Sequence, residues 1–166
     1  MNAVMLSIRP EWCEKIARGE KTVEVRKSKP KLETPFKCYI YCTKDPKEYL
    51  YWSPRGFYCN NHRSSEAFNG KAIGEFVCDA MIVDRTFGHD RLLYTAACME
   101  AADIAAYCVN SKMYGWHISE LNLYDKPKEL SEFLVEDNRT SDYPQLVAMK
   151  RAPQSWCYVE GSADNG

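Results

Sequence analysis

The order of short strand-like runs along the chain constrains the fold more than any other feature of the sequence. Val4–Ile8 is apolar, whereas Lys21–Lys27 and Phe36–Cys42 alternate between apolar and polar residues, and both patterns are typical of β-strands. A helix is predicted between the first two runs, at about 10–18, because Pro10 suits a first helical position. Since strands and helices do not alternate regularly, the sequence predicts an α+β fold with a mainly antiparallel, barrel-like sheet.

The remaining sequence predicts further elements from the same patterns. They are a long irregular loop at about 43–70, a strand over Lys71–Val83 in which Gly74 marks a bulge, a bend or a close backbone approach, a helix over 92–108, a short strand at Trp116–Ile118, a short helix over Pro127–Phe133 and a closing strand at Ser155–Val159. The length of 166 residues and the hydrophobic content of 45% predict one domain over 1–160 and a disordered tail over 161–166.

Charge excludes a protein that coats nucleic acid with its whole surface, because the net charge is only −1. Residues 1–44 nevertheless carry ten Lys and Arg against five Asp and Glu, a local charge of +5. No run approaches the roughly 20 apolar residues of a membrane span, and the N-terminus lacks a signal-peptide pattern. We therefore expect a cytoplasmic protein without membrane contact, whose nucleic-acid binding depends on a local patch.

The eight cysteines are interpreted as reduced. Six lie in apolar runs, where a thiol behaves as a small hydrophobic group: Cys38, Cys42, Cys78, Cys98, Cys108 and Cys157. Cys59-x-x-His62 and the Cys38/Cys42 pair lack the doubled CxxC spacing of structural zinc sites. The sequence predicts neither a metal nor a cofactor, and it leaves open whether Cys59 and His62 bind metal.

Gly19–Arg26 is the most informative segment, because a helix end leads directly into a strand with charged residues on one face. Thr22, Glu24 and Arg26 share that face, while Val23 and Val25 share the other. Such a row can hold a polar ligand. Spacing alone favours a solvated strand with weak ion pairs instead.

The same segment resembles the G-x-K-T-x-E-x-R signature of ASCH domains, a family of the PUA-like superfamily. Weaker agreement extends the resemblance to most of the chain, at Leu6–Trp12, Gly70–Phe76, Gly115–Ile118 and Ser155–Val159. The resemblance implies a PUA-like β-barrel with flanking helices. It also implies a cleft beside the signature strand that takes RNA or a nucleoside, with Lys21, Glu24 and Arg26 in its lining.

The resemblance also supplies catalytic candidates. One branch of the family removes the acetyl group of N-acetylated cytidine with a Lys, a nucleophilic Thr and a Glu. Lys21 matches that Lys, Glu24 occupies the position of the Thr, and Glu100 is the candidate for the remaining acid. Glu24 would act as general base and Lys21 as electrostatic stabiliser.

Glu100 also falls within the apolar stripe of the predicted 92–108 helix. A buried carboxylate there needs a cation, such as Lys21 or Arg26, or a wet pocket. The alternative is an acid at the helix margin.

The candidate ligand-binding residues are Arg9, Trp12, Thr22, Arg26, Lys27, Glu75, Ser155 and Trp156. Glu75 is equally compatible with an exposed strand acid, and the tryptophans with the core. In the 43–70 loop, aromatic residues alternate with Lys47, Arg55 and Arg63, as in single-stranded RNA binders. An insertion with its own small aromatic core is slightly favoured.

Three functions follow as hypotheses. The first is a module that binds RNA or a modified nucleoside, with DNA as a further possible partner. The second is a hydrolase that uses the same cleft, either an amidohydrolase on an acylated nucleoside or a ribonuclease. The third is a protein-interaction adaptor. The sequence does not indicate whether the chain is an enzyme or what its oligomeric state is.

Overall fold

The computed structural model describes residues 3–85, 89–107, 111–137 and 143–161. Strands predominate within these ranges, and three short α-helices and one 3₁₀ turn accompany them. The strands are β1 (Ala3–Ile8), β2 (Val23–Arg26), β3 (Phe36–Cys42), β4 (Tyr49–Ser53), β5 (Gly56–Asn60), β6 (Lys71–Cys78), β7 (Met81–Asp84), β8 (Met113–His117), β9 (Ser119–Lys128), β10 (Leu134–Asp137), β11 (Gln145–Ala148) and β12 (Trp156–Val159). The helices are α1 (Pro10–Ala17), α2 (Arg91–Ala96) and α3 (Ala101–Tyr107), and the 3₁₀ turn is Leu130–Glu132.

Two sheets carry most of the fold. The larger has the order β12-β1-β3-β6-β9, and the smaller has the order β2-β8-β7. The pairs β4-β5 and β10-β11 form separate two-stranded sheets. Only β1 and β3 pair in parallel among the described strands. The α+β class and the mainly antiparallel pairing are thus confirmed, whereas the pairing of the described strands does not close them into a barrel.

The first strand and helix form where the sequence predicts them. All six residues of β1 are buried, as expected for an apolar run in the middle of a sheet. Pro10 opens α1, which carries the acidic Glu11 in its first turn and so complements the helix dipole. Gly19 follows the helix with φ of +73°, a conformation that glycine adopts without steric cost.

Gly74 marks a close approach of two backbones, one of the alternatives predicted for it. A Cβ at this position would lie 2.6 Å from the carbonyl oxygen of Asn122 on β9. The pairing of β6 with both of its neighbours shifts register beside it. The predicted strand over Lys71–Val83 continues through Gly74 and is divided only after Cys78, into β6 and β7, which lie in different sheets.

The 43–70 segment is wrongly predicted as irregular, because it contains the β4-β5 hairpin. Leu50 and Phe57 are buried in the main core cluster, and the rings of Tyr51 and Tyr58 stack with centroids 5.7 Å apart. Arg18 of α1 donates from Nε to the carbonyl oxygen of Phe57 at 3.4 Å. The hairpin is therefore packed into the main core and against α1, with the Tyr51–Tyr58 stack as an aromatic contact of its own.

The prediction of one continuous helix over 92–108 is also wrong. The segment is broken into α2 and α3 at Cys98, which has φ of +54°. The strands β10 and β11 and most of β9 were not predicted, and the predicted helix over Pro127–Phe133 is reduced to one 3₁₀ turn. Leu121 and Leu123 of β9 do alternate with polar residues, a strand pattern that the interpretation missed, whereas β10 and β11 are only four residues long each.

The cysteines pack as small apolar groups for the most part. Cys38, Cys42 and Cys78 are buried, whereas Cys98 and Cys157 are half-buried, and all are free thiols. Burial raises the pKa of Cys157 to about 11. Cys108 and the tail beyond Gly161 lie outside the described residues. In the described ranges, no helix combines the length and apolarity that a membrane crossing requires.

Candidate functional site

A pocket of about 560 Å³ lies beside β2. Its walls come from the end of β1, the first turn of α1, β2 and the α3 region, together with the segment before β12. The lining residues are Ser7, Ile8, Arg9, Glu11, Trp12, Lys21, Glu24, Val25, Arg26, Thr43, Met99, Asp103, Ala106, Tyr107, Gln154 and Ser155. Six of the predicted site residues are among them: Arg9, Trp12, Lys21, Glu24, Arg26 and Ser155.

The strand β2 turns Glu24 toward this pocket because the valines on the other face of the strand are held in the core. Val23 and Val25 pack into an apolar cluster with Leu93 and Tyr94 of α2. The alternation of the strand then places Glu24 on the opposite face. Lys21 precedes β2 in the turn after α1, where its backbone N–H donates to the carbonyl oxygen of Lys15.

Glu24 lies between two cations. Its Oε2 is 3.2 Å from Lys21 Nζ, and its Oε1 is 3.0 Å from Arg26 Nη2. The side chains of Lys21, Glu24 and Arg26 are only 4%, 8% and 12% exposed. Such burial separates this row from the weak surface ion pairs that spacing alone suggested, because water screens it little.

Backbone carbonyls hold both cations in place. Lys21 Nζ donates to the carbonyl oxygen of Ala97 at 2.8 Å, and Arg26 Nη2 donates to that of Ser7 at 2.8 Å. Ser7 is itself tied to the segment before β12, since its Oγ donates to the carbonyl oxygen of Pro153 at 2.6 Å. The row is therefore anchored to β1 and to the end of α2.

Two buried polar atoms of the row lack a hydrogen-bond partner: Glu24 Oε2 and Arg26 Nε. The 3.2 Å contact between Glu24 Oε2 and Lys21 Nζ is an ion-pair contact without hydrogen-bond geometry, so the two observations are compatible. An unpaired buried donor or acceptor costs about 1–3 kcal/mol. Both residues line the pocket, but the two atoms themselves are shielded from its open space.

Aromatic rings with nearby lysines flank the row. Lys15 and Lys21 place Nζ 4.8 Å and 5.1 Å from the ring centroid of Trp12. Lys27 is exposed and places Nζ 5.0 Å from the ring centroid of Tyr107. Lys27 thus contacts a lining residue without being part of the lining.

Four other predicted site residues lie away from the pocket lining. Thr22 is exposed, and its backbone N–H donates to the carbonyl oxygen of Ala96. Trp156 donates from Nε1 to Ser28 Oγ at 2.9 Å and packs against Trp116. Glu75 and Glu100 lie elsewhere, for the reasons that follow.

Glu75 is held on β6 by Tyr124 and Lys37, at 2.6 Å and 3.0 Å. Burial raises the pKa of Glu75, but the hydrogen bonds from Tyr124 and Lys37 outweigh it, so the pKa is lowered overall. This carboxylate belongs to a polar cluster on the larger sheet, apart from the pocket lining.

The predicted burial of Glu100 is wrong. Glu100 is exposed immediately before α3, where its backbone N–H donates to Asp103 Oδ2 at 3.1 Å. The apolar stripe that placed it in the core depended on one continuous helix, and the break at Cys98 rotates it out. Its position matches the alternative of an acid at the helix margin.

Asp103 and Tyr107 are the main lining residues that the sequence interpretation missed, together with Ser7, Thr43 and Gln154. Asp103 and Tyr107 are four residues apart, so they share one face of α3. Their spacing was a usable signal, but nothing local indicated which element that face would meet.

His117 forms a second polar pair away from the pocket lining. Its Nδ1 lies 2.6 Å from Asp79 Oδ1, and this hydrogen bond lowers the pKa of Asp79. In the described ranges, no group of three or more His, Cys, Asp or Glu is arranged to hold a metal ion.

Comparison with known proteins identifies the family. A family model described as the ASCH domain matches residues 6–124. The crystal structure of ASCH from Zymomonas mobilis has a TM-score of 0.58 at 18% identity, covering 96% of this chain and 88% of that chain. A tyrosine-to-phenylalanine variant of the Zymomonas mobilis protein gives 0.60 at 16% identity, with coverages of 96% and 91%.

No curated protein matches the chain. At these identities the solved structures support a common fold, and the family model supports membership. Because that model covers more than half of the sequence, the chain belongs to the ASCH domain family.

Proposed function

We propose that the pocket beside β2 binds a nucleobase, either of RNA or of a free or modified nucleoside. The observation that carries this proposal is the buried row of Lys21, Glu24 and Arg26 in the pocket lining. A buried ion-pair row is costly unless its polar atoms are satisfied. The row sets two cations against one carboxylate, and the acceptor atoms on the polar edge of a base complement its net positive charge.

The size and lining of the pocket support a ligand of this kind. Small-molecule sites usually enclose about 300–1,000 Å³, with apolar walls and a few convergent polar groups. The volume of about 560 Å³ lies within that range. Ile8 and Met99 supply apolar surface, and Trp12 and Tyr107 supply aromatic rings. A base needs both, because its faces are apolar and its edges are polar.

Binding is favoured over hydrolysis by the position of Glu24. Its two oxygens contact different cations. A proton placed on this carboxylate during general-base catalysis would leave Lys21 and Arg26 buried without a counter-charge, which is costly. The hydrolase hypothesis has its own test. Turnover of acetylated nucleosides or RNA that is lost in Glu24→Gln and kept in Glu66→Gln would support it.

The direct test is a titration of the purified protein with nucleosides and short single-stranded RNA. We expect saturable binding, and binding of RNA should weaken steeply between 50 and 200 mM salt, because phosphate contacts release counterions. Arg26→Gln should reduce affinity, whereas Lys126→Gln, an exposed control with the same charge change outside the basic 1–44 segment, should not.

Thermal melting of each variant separates lost binding from lost folding. If nucleosides and RNA fail to bind the folded wild-type protein, the proposal is wrong. If the affinity for RNA is equal at low and high salt, RNA is excluded as the ligand and only a nucleoside is left.

A further inference from the structure

A basic surface adjoins the pocket beside β2, and two segments that are distant in sequence form it. One segment is 27–31, directly after β2, and the other is 150–155, directly before β12. Neither segment contains Asp or Glu. Their cations are all exposed, and we call them the basic edge: Lys27, Lys29, Lys31, Lys150 and Arg151. The surface is thus locally positive, although the net charge of the chain is −1.

We propose that the basic edge binds the phosphates of a single-stranded RNA whose base occupies the pocket, an inference that rests on the proposed nucleobase function. The ligand is then a strand of several nucleotides, and a free nucleoside occupies only part of the site.

Hydrogen bonds to β12 hold the first segment in place. Trp156 donates from Nε1 to Ser28 Oγ at 2.9 Å, and the backbone N–H of Lys31 donates to the hydroxyl oxygen of Tyr158 at 2.7 Å. The segment therefore extends from the end of β2 along β12. Because a fixed backbone carries its lysines, less entropy is lost when a strand binds to them.

Both segments reach the pocket. Lys27 places Nζ 5.0 Å from the ring centroid of Tyr107, a lining residue. Gln154 lines the pocket as well, and Arg151 precedes it by three residues, which span at most about 11 Å of chain. A phosphate next to a base in the pocket therefore meets the basic edge.

The cations of the basic edge are not used within the protein as salt-bridge partners. None of the five forms an ion pair with another residue of the described ranges. Like charges repel one another, so a polyanion that covers such a surface stabilises it. Exposed lysines and arginines of this kind are the usual contacts of nucleic-acid phosphates.

The pocket edge at Glu11 has mixed charge instead. The segment 44–48 contains two lysines and two acids. Burial raises the pKa of Glu48, and the carboxylates of Glu11, Asp45 and Glu14 raise it further, so these acids lie close together. Clustered carboxylates repel phosphates. A strand that leaves the pocket is therefore favoured to cross the basic edge.

The extent of the basic edge fits a strand better than a mononucleotide. The first segment alone spans up to about 14 Å of chain, which is farther than one phosphate group reaches. A single strand can also turn one base into a pocket, whereas the bases of a duplex stay stacked and paired. Single-stranded RNA satisfies both conditions.

The test compares a fluorescently labelled RNA of about ten nucleotides, a usual length for single-strand sites, with the free nucleosides. For single strands, log affinity falls with log salt by about 0.7 per phosphate contact. Five contacts give a slope of about −3.5, so the wild-type affinity for RNA should fall about a hundredfold between 50 and 200 mM salt. Nucleosides lack phosphates, and their affinity should change by less than about twofold.

A variant with four substitutions tests the surface directly: Lys29→Gln, Lys31→Gln, Lys150→Gln and Arg151→Gln. Lys27 is kept, because it contacts Tyr107 of the pocket lining. The slope for RNA should become shallower by about 2.8, whereas nucleoside affinity should stay within about twofold of wild type.

The matched control removes four exposed cations that lie outside the pocket lining and the basic edge: Arg55→Gln, Arg85→Gln, Arg91→Gln and Lys126→Gln. It should keep the wild-type slope. Thermal melting checks that both variants fold, and the slope of the wild-type protein is a measurement that depends on no variant.

The outcomes separate this inference from the proposed function. If nucleosides bind but RNA binds no more tightly, or if both variants lose the same slope, the inference is wrong although the nucleobase site remains. Tighter binding to phosphatidylserine–phosphatidylcholine vesicles than to RNA would assign the surface to a membrane and also contradict the inference. If neither nucleosides nor RNA binds, the proposed function itself is wrong.

Discussion

Lys21 Nζ lies 3.2 Å from Glu24 Oε2, and both side chains are almost completely buried. Removing the charge of Lys21 would leave Glu24 with Arg26 alone in a poorly hydrated site. We therefore expect Lys21→Met to lower the free energy of unfolding by about 3–5 kcal/mol, measured by denaturant titration. Lys29→Met, at an exposed position, should change it by less than about 0.5 kcal/mol.

A loss below about 1 kcal/mol in Lys21→Met would mean that water reaches the row and screens it. In that case the pocket would be more open than the burial of Lys21 indicates.

Gly74 and Gly19 offer a matched pair of glycine-to-alanine substitutions with different physical causes. At Gly74 a Cβ would lie 2.6 Å from the backbone oxygen of Asn122, whereas at Gly19 it would meet nothing within 4 Å. Gly74→Ala should cost about 3 kcal/mol, because a strand must move. Gly19→Ala should cost about 1 kcal/mol, from its positive φ alone. Equal costs by thermal unfolding would contradict the close approach of β6 and β9.

Stability should depend on pH through Glu75. Its pKa is lowered from the ordinary value of 4.5, because the hydrogen bonds from Tyr124 and Lys37 outweigh the effect of burial. A lowered pKa in the folded state stabilises the protein above the unfolded-state pKa, and this contribution is lost as pH falls through the folded value. The stability difference between wild type and Glu75→Gln should thus be constant from pH 6 to 7 and shrink below about pH 4.5.

Denaturant unfolding at several pH values measures this difference. Glu66→Gln, an exposed carboxylate, serves as the control. A difference that grows as the solution is acidified would show that the interaction favours the protonated carboxyl group instead.

The β4-β5 hairpin should be stabilised by its buried side rather than by its exposed aromatic residue. Leu50 is fully buried, whereas Trp52 is 60% exposed. Leu50→Ala should lower the free energy of unfolding by about 2–5 kcal/mol, and Trp52→Ala by less than about 0.5 kcal/mol. Calorimetric unfolding distinguishes them, and an unchanged Leu50→Ala protein would mean that the hairpin does not pack on α1.

Local sequence was sufficient wherever one element carried its own signals. Pro10 and Gly19 mark the two ends of α1, and the alternation of Val23, Glu24 and Val25 places Glu24 opposite the valines. The same alternation, with the family resemblance, brought Lys21, Glu24 and Arg26 forward as candidates, and the structure places all three in one pocket lining. In these cases the periodicity of the helix or strand is enough to determine the direction in which each side chain points.

Tertiary structure decided what local patterns cannot encode. The break at Cys98 exposes Glu100 and lets α3 bring Asp103 and Tyr107 to the pocket. The strands that the structure describes form separate sheets and do not close into the predicted barrel. Whether the charges of β2 would be screened by water or buried also depended on Ala97, Ser7 and the segment before β12, which are distant in sequence. Periodicity specifies the direction of a side chain, but only long-range packing specifies what that side chain meets.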